Sequence, residues 1–206
     1  MKKYLIISII FINSIYGFNN HFFGFTGSVG TIYGENGDSA TVLDDEDFLV
    51  YGFKTGIITD DIIVYVDYGH MNFNNSGLSG TNGQTNFNED YMSLVLGPVF
   101  EMDIYIDTYL FLNGVLAVDK FHYSREDETG TTSNYISQYQ LHYGYQFGVI
   151  FPVILNPFDT EIDSFFEIGY RQVYRSRSLL AGSEDEDLQI PFKDLQQYYL
   201  SVNILF

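Results

Sequence analysis

The sequence predicts an all-β chain of 206 residues, folded as a transmembrane up-and-down antiparallel β-barrel of eight strands. Three observations predict it. Apolar side chains recur at every second residue, the spacing at which successive side chains of a strand point to opposite faces. Short and long connections alternate, as they do when short periplasmic turns and long extracellular loops join antiparallel neighbours. Glycine and polar residues gather on the face opposite the aromatic one.

From the N-terminus, residues 1–17 read as a signal peptide and 18–206 as the barrel. Lys2 and Lys3 precede an apolar run from Tyr4 to Ile12, and Ser14 and Gly17 supply small residues near a cleavage point. The run is too short for a spanning helix, which needs about 20 apolar residues.

The strands are expected at Phe23 to Tyr33, Leu49 to Thr59, Ile62 to Phe73, Tyr91 to Phe100, Ile104 to about Phe121, Tyr139 to Phe151, from Phe165 onward, and Tyr198 to Phe206. The sixth alternates most cleanly, with Tyr139, Leu141, Tyr143, Tyr145, Phe147, Val149 and Phe151 against Gln140, His142, Gly144, Gln146, Gly148 and Ile150. In the seventh, Phe166, Ile168, Tyr170 and Tyr174 oppose Glu167, Gly169, Arg171 and Arg175. In the fifth, charge decides the parity. Lipid would penalise Asp107 and Asn113, so both are assigned inward, with Asp107 beside Gly97. Long connections at 35–47, 74–90, 124–136 and 176–194 alternate with short ones at Asp60-Asp61, Glu101 to Asp103 and Pro152 to Glu161.

A two-residue turn at Asp60-Asp61 sets the register of its hairpin. Lys54 then faces Asp67, Gly52 faces Gly69 and Gly56 faces Tyr65 on one face, while Phe53 meets Tyr68 and Ile57 meets Val64 on the other. Eight strands enclose an interior that side chains just fill. The face carrying Tyr, Phe and Leu is too bulky for that space, and the glycine-rich face fits. Hydrophobic-out is what a bilayer demands, so Tyr143, Tyr145, Phe147, Ile168 and Leu200 should contact lipid.

In this pattern the chain resembles the small OmpA/OmpX-like outer-membrane β-barrels of Gram-negative bacteria, within the porin superfamily. The last strand carries the most specific element: Tyr198, Leu200, Val202, Ile204 and Phe206 alternate up to a terminal aromatic. They resemble the C-terminal signal read by the outer-membrane assembly machinery. The resemblance implies location in the outer membrane and contact with its lipids and lipopolysaccharide. It also implies a monomer without a cofactor, whose role is structural or adhesion-like.

Composition narrows the function. The formal charge of −18 becomes −20 without the two signal-peptide lysines, which disfavours a nucleic-acid backbone as partner. The absence of cysteine excludes disulfides, thiolate metal sites and an N-terminal lipidated cysteine. Lys54, Asp67, His142, Glu167 and Arg171, with Gln140, Gln146 and Asn203, are expected inside as a structural polar cluster. Buried charges are costly unless paired, so Lys54 is matched with Asp67, and Glu167 shares an inner face with Arg171. A small porin-like channel is the alternative; a wide diffusion pore needs about 16 to 18 strands.

His122, Ser124 and Glu126 resemble the His-x-Ser pair and Glu of outer-membrane lipid A deacylases. They sit in mid-chain, however, and above the lipid zone of their strand, which is spanned by about 9 to 11 residues. The triplet is read as a loop base and no catalytic residue is assigned. His21 and His70 are read as interfacial side chains. Acidic clusters at Glu35, Asp38, Asp44, Asp45, Glu46 and Asp47, and at Glu184 to Asp187, belong to outer loops, where they could meet an extracellular ligand or weakly bound Ca or Mg.

Overall fold

The computed structural model describes residues 20–34, 46–75, 85–102, 107–126, 132–137, 139–157, 160–174, 178–181, 189–190 and 192–206. The signal segment and the acidic positions 35–45 and 184–187 lie outside the described residues. In chain order the strands are β1 (His21–Gly34), β2 (Glu46–Ile58), β3 (Ile62–Asn75), β4 (Thr85–Met102), β5 (Thr108–Glu126), β6 (Thr132–Ser137), β7 (Gln140–Leu155), β8 (Ile162–Tyr174), β9 (Ser178–Ala181), β10 (Gln189–Ile190) and β11 (Phe192–Leu205). The eight long ones, β1 to β5, β7, β8 and β11, pair antiparallel with their neighbours. The ring closes where β1 meets β11, from Phe22↔Leu205 onward.

The β2–β3 register runs as the short turn dictates, with Lys54↔Asp67, Gly52↔Gly69 and Phe53↔Tyr68. Alternation sorts the faces. Leu112, Phe147, Ile168 and Leu200 are 48–55% exposed, while Asn113, Gln146, Glu167 and Ser201 are at most 2% exposed. On β4 the outward apolar residues run Met92, Leu94, Leu96 and Phe100, with Pro98 between them. That stretch of about nine residues is what a tilted strand needs to cross hydrocarbon.

Three expectations are corrected. Asp107 is not in the lumen: it precedes β5, is exposed, and Asn113 takes the place beside Gly97, where an added Cβ would meet its side chain. The inner face is also less uniformly small than expected, because it houses Phe22, Tyr65, Tyr91, Phe111, Phe165 and Tyr199. Glycine makes that room: a Cβ on Gly69 would collide with the Tyr91 ring, and one on Gly169 with the Tyr199 ring. Finally, the strands outrun their expected limits. β4 begins at Thr85, β5 continues to Glu126, and β6, β9 and β10 fall within segments expected as loops. Above the bilayer both faces of a strand meet water, so its apolar alternation fades while its ladder hydrogen bonds persist.

Candidate functional site

The lumen is the densest concentration of polar chemistry among the described residues. At its periplasmic end Phe22, Ile63, Val99, Phe111, Ile150 and Phe165 are all at most 5% exposed and form an apolar floor. Phe22 meets Phe165 edge-on at 5.1 Å between ring centroids, and Tyr65 at 5.9 Å.

Above that floor lies the charged layer. Lys54 reaches past its neighbour Asp67 and pairs with Glu167 across the lumen. Arg171 Nη2 donates to Asp67 Oδ2 at 2.5 Å. Thus Lys54 and Asp67 are adjacent in register, as expected, but each gives its charge to a residue of β8 instead of to the other. The physical reason is reach. Directly opposite inward side chains on one wall run side by side, whereas long chains from facing walls meet head to head at the axis of a narrow barrel.

Polar neighbours complete the network. Glu167 Oε1 accepts from Tyr199 Oη at 2.7 Å and from Tyr65 Oη at 3.4 Å. Gln146 links the two ion pairs: its Oε1 accepts from Arg171 Nε at 3.0 Å, and its Nε2 donates to Tyr65 Oη. Ser93 Oγ donates to Asp67 Oδ1. The Lys54 ammonium also lies 4.7 Å from the Tyr65 ring centroid, a favourable placement for a cation over an aromatic face. Two opposite pairs with hydrogen-bonded lone pairs meet the condition under which buried charge is tolerated.

His142 stands apart, higher in the barrel, with Nε2 2.9 Å from Asp119 Oδ2. Asp119, Tyr65, Ser93 and Tyr199 were not among the residues singled out from the sequence. Inward parity on β5 implicates Asp119, and the hairpin register places Tyr65 over Gly56. The His142 to Asp119 contact, by contrast, depends on the pairing of β5 with β7 across a long connection. A void of about 10 Å³ beside Asp119 and Arg171 has room for about one water.

The outer face has its own polar border. Tyr68 Oη donates to Asp90 Oδ1 at 2.5 Å, His70 Nδ1 lies 2.9 Å from the same oxygen, and Lys120 sits over the Tyr139 ring at 5.3 Å. Such groups suit the level where hydrocarbon gives way to headgroups. His122 is exposed one outward position beyond Lys120; the side chains of Ser124, Glu126, Glu46 and Asp47 lie outside the described residues. His21 is buried beside Phe206, with ring centroids 6.3 Å apart. On β11, Tyr198, Leu200 and Ile204 are exposed and Val202 is half-buried on the outer face, and Phe206 just after it is exposed. Among the described residues no group of His, Asp and Glu is arranged to hold a metal ion.

A closed antiparallel ring of eight long strands, apolar outside and polar within, matches solved structures over nearly its whole length. Neisserial surface protein A is similar to the chain over 90% of it and 97% of that protein, at a TM-score of 0.57 and 15% identity. Ail, the attachment invasion locus protein of Yersinia pestis, is similar over 92% of this chain and 100% of its own, at a TM-score of 0.50 and 15% identity. The fold is that of the small outer-membrane β-barrels. The outward apolar belt is the surface that such a barrel turns to lipid. No protein-family model and no curated protein sequence matches the chain.

Proposed function

We propose that this outer-membrane barrel is a sealed scaffold that displays an interaction surface outside the cell. The observation that carries the reading is the continuation of the strand sheet beyond the lipid belt, above a lumen occupied by side chains. The upper part of β5 pairs with β6, from His122↔Ile136 to Glu126↔Thr132, and β6 pairs with β9 through Ile136↔Ala181. Strand ladders hold backbone in place more firmly than open loops do, so they suit a surface that must present side chains in fixed relation. The neighbouring connections are acidic in sequence, and charge complementarity favours a basic partner surface, or lipopolysaccharide phosphates bridged by divalent cations. The outward face of β11 serves, on this reading, as the assembly signal, and residues 1–17 as the secretion signal.

The test joins two measurements. Purified barrel in a planar bilayer should give no steady conductance, and cells expressing it should bind a partner surface that they lose when residues 127–131 are replaced by a short Gly-Ser turn. Steady channel openings would overturn the sealed lumen and favour the porin-like alternative. Unchanged binding after loop replacement would overturn the display role.

A further inference from the structure

The periplasmic mouth contains a cavity of about 180 Å³, lined by residues that include Ile58, Val99, Tyr109, Ile150, Phe165 and Leu205. Its floor is the apolar plug, so it does not communicate with the charged layer above. Its rim is polar, through Asn20, Thr59, Asp60 and Ser164. An engineered apolar cavity of about 150 Å³ takes up benzene, so this one has room for a single ring or a short aliphatic chain. Drug-sized ligands need about 300 Å³ or more.

Side-chain charge around the opening has one sign. Asp60 is on the rim, and Asp61, Glu101, Asp107, Glu161 and Asp163 are exposed in or beside the connections at the same end of the barrel. The connecting segments 58–62, 101–108 and 155–163 contain no Lys or Arg. Three of these carboxylates, Glu101, Asp107 and Asp60, act electrostatically on Tyr109, which lines the cavity wall. Glu101 is also the cross-strand partner of Tyr109. A low-dielectric pocket ringed by charges of one sign focuses the field on its mouth and concentrates ligands of the opposite sign.

We propose that the periplasmic mouth is a binding site for a small organic cation with an apolar body, its ring or chain seated on Val99, Ile150 and Phe165 and its ammonium at Asp60. The site faces away from the extracellular surface, so it is a second function and does not depend on the display role. An uncharged ligand would leave the ring of carboxylates unused, and an anion would be repelled by it.

The probe is phenethylammonium, titrated into folded barrel in an uncharged maltoside micelle while the methyl resonances of Ile58, Val99, Ile150 and Leu205 are followed. Phenethyl alcohol and 3-phenylpropionate provide neutral and anionic bodies of similar size. Saturable shifts should appear with the cation, at an affinity about tenfold above that of the alcohol, and weaken as salt is raised. The exposed double variant Asp60→Asn with Glu101→Gln should remove most of that preference while leaving heat-modifiable gel migration intact. Val99→Phe, which fills the cavity, should abolish the shifts. Equal shifts from all three probes, or shifts that survive Val99→Phe in a correctly folded barrel, would show partition into detergent and sink the proposal. If Val99→Phe does not fold, an unchanged cation preference in the carboxylate double variant overturns it equally.

Discussion

Glu167 is the hinge of the lumenal network, because it takes a Lys54 ion pair and two tyrosine hydrogen bonds at zero exposure. Replacing it by Gln leaves the Lys54 ammonium uncompensated, which should lower the unfolding free energy by about 3–5 kcal/mol, while Lys54→Met with Glu167→Met should be close to neutral. Urea titrations of barrel in lipid vesicles would measure both. A double-mutant cycle should give coupling above about 1 kcal/mol for Lys54 with Glu167 and for Asp67 with Arg171, and less for Lys54 with Asp67. Stronger coupling for the last pair would mean that the charges pair along the wall instead of across the lumen. Glycine offers a second contrast. A Cβ on Gly148 would run into the Ile168 carbonyl oxygen and lie 2.7 Å from the Phe111 ring, whereas one on Gly27 meets nothing within 4 Å. Gly148→Ala should therefore cost about 1–3 kcal/mol, and Gly27→Ala should be neutral or mildly stabilising by less than about 1 kcal/mol.

Each spanning strand sorts its two faces by solvent, and a substitution has a cost set by the face and depth at which it lands. Phe147 on β7 and Ile168 on β8 face outward within the belt, at 48% and 52% exposure. Arg at either position should destabilise the barrel by about 2–4 kcal/mol near the midplane. At His122, beyond Lys120, the same substitution should change stability by less than about 1 kcal/mol, since that level is already polar. Refolding into vesicles of each variant would rank them, and an equal cost at Phe147 and His122 would show that the belt had been placed too low. The same solvent argument explains why the strands outrun their apolar alternation. Thr85 to Asp90 alternates no apolar face, yet it pairs residue by residue with β5 up to Thr85↔Arg125.

At the scale of the whole barrel, closure distributes charge by compartment. Buried Lys54 and Arg171 each pair with an acid inside the lumen, the periplasmic rim is acidic, and Lys120 stands at the outer edge of the belt. A side-chain-filled lumen above an apolar floor predicts a silent protein: planar bilayers should record no steady current in 1 M salt, and the unboiled barrel should migrate at a shifted position on SDS gels. Opening of the lumen by Lys54→Ala with Arg171→Ala should raise conductance above that baseline only if the apolar floor at Phe22 and Phe165 also gives way. Silence in that variant, and current once Phe165→Ala is added, would identify the floor as the seal.

Read alone, the sequence determines whatever depends on local periodicity. It assigns Phe147, Ile168 and Leu200 to the outer face and Gln146, Glu167 and Arg171 to the inner one, because successive side chains of a strand must alternate. It sets the β2–β3 register, because a two-residue turn leaves the hairpin no slack. It also gives the parity of β5, though not the start of that strand, since Asp107 stands exposed just ahead of it. The tertiary structure decided what crosses long connections or the barrel axis. Lys54 finds Glu167, Asp67 finds Arg171, and His142 finds Asp119, each through pairings or distances that no local pattern encodes. The cavity at the periplasmic mouth belongs to the same class. It is the space left when strand ends from five parts of the chain meet around one axis, and only closure of the ring brings those ends together.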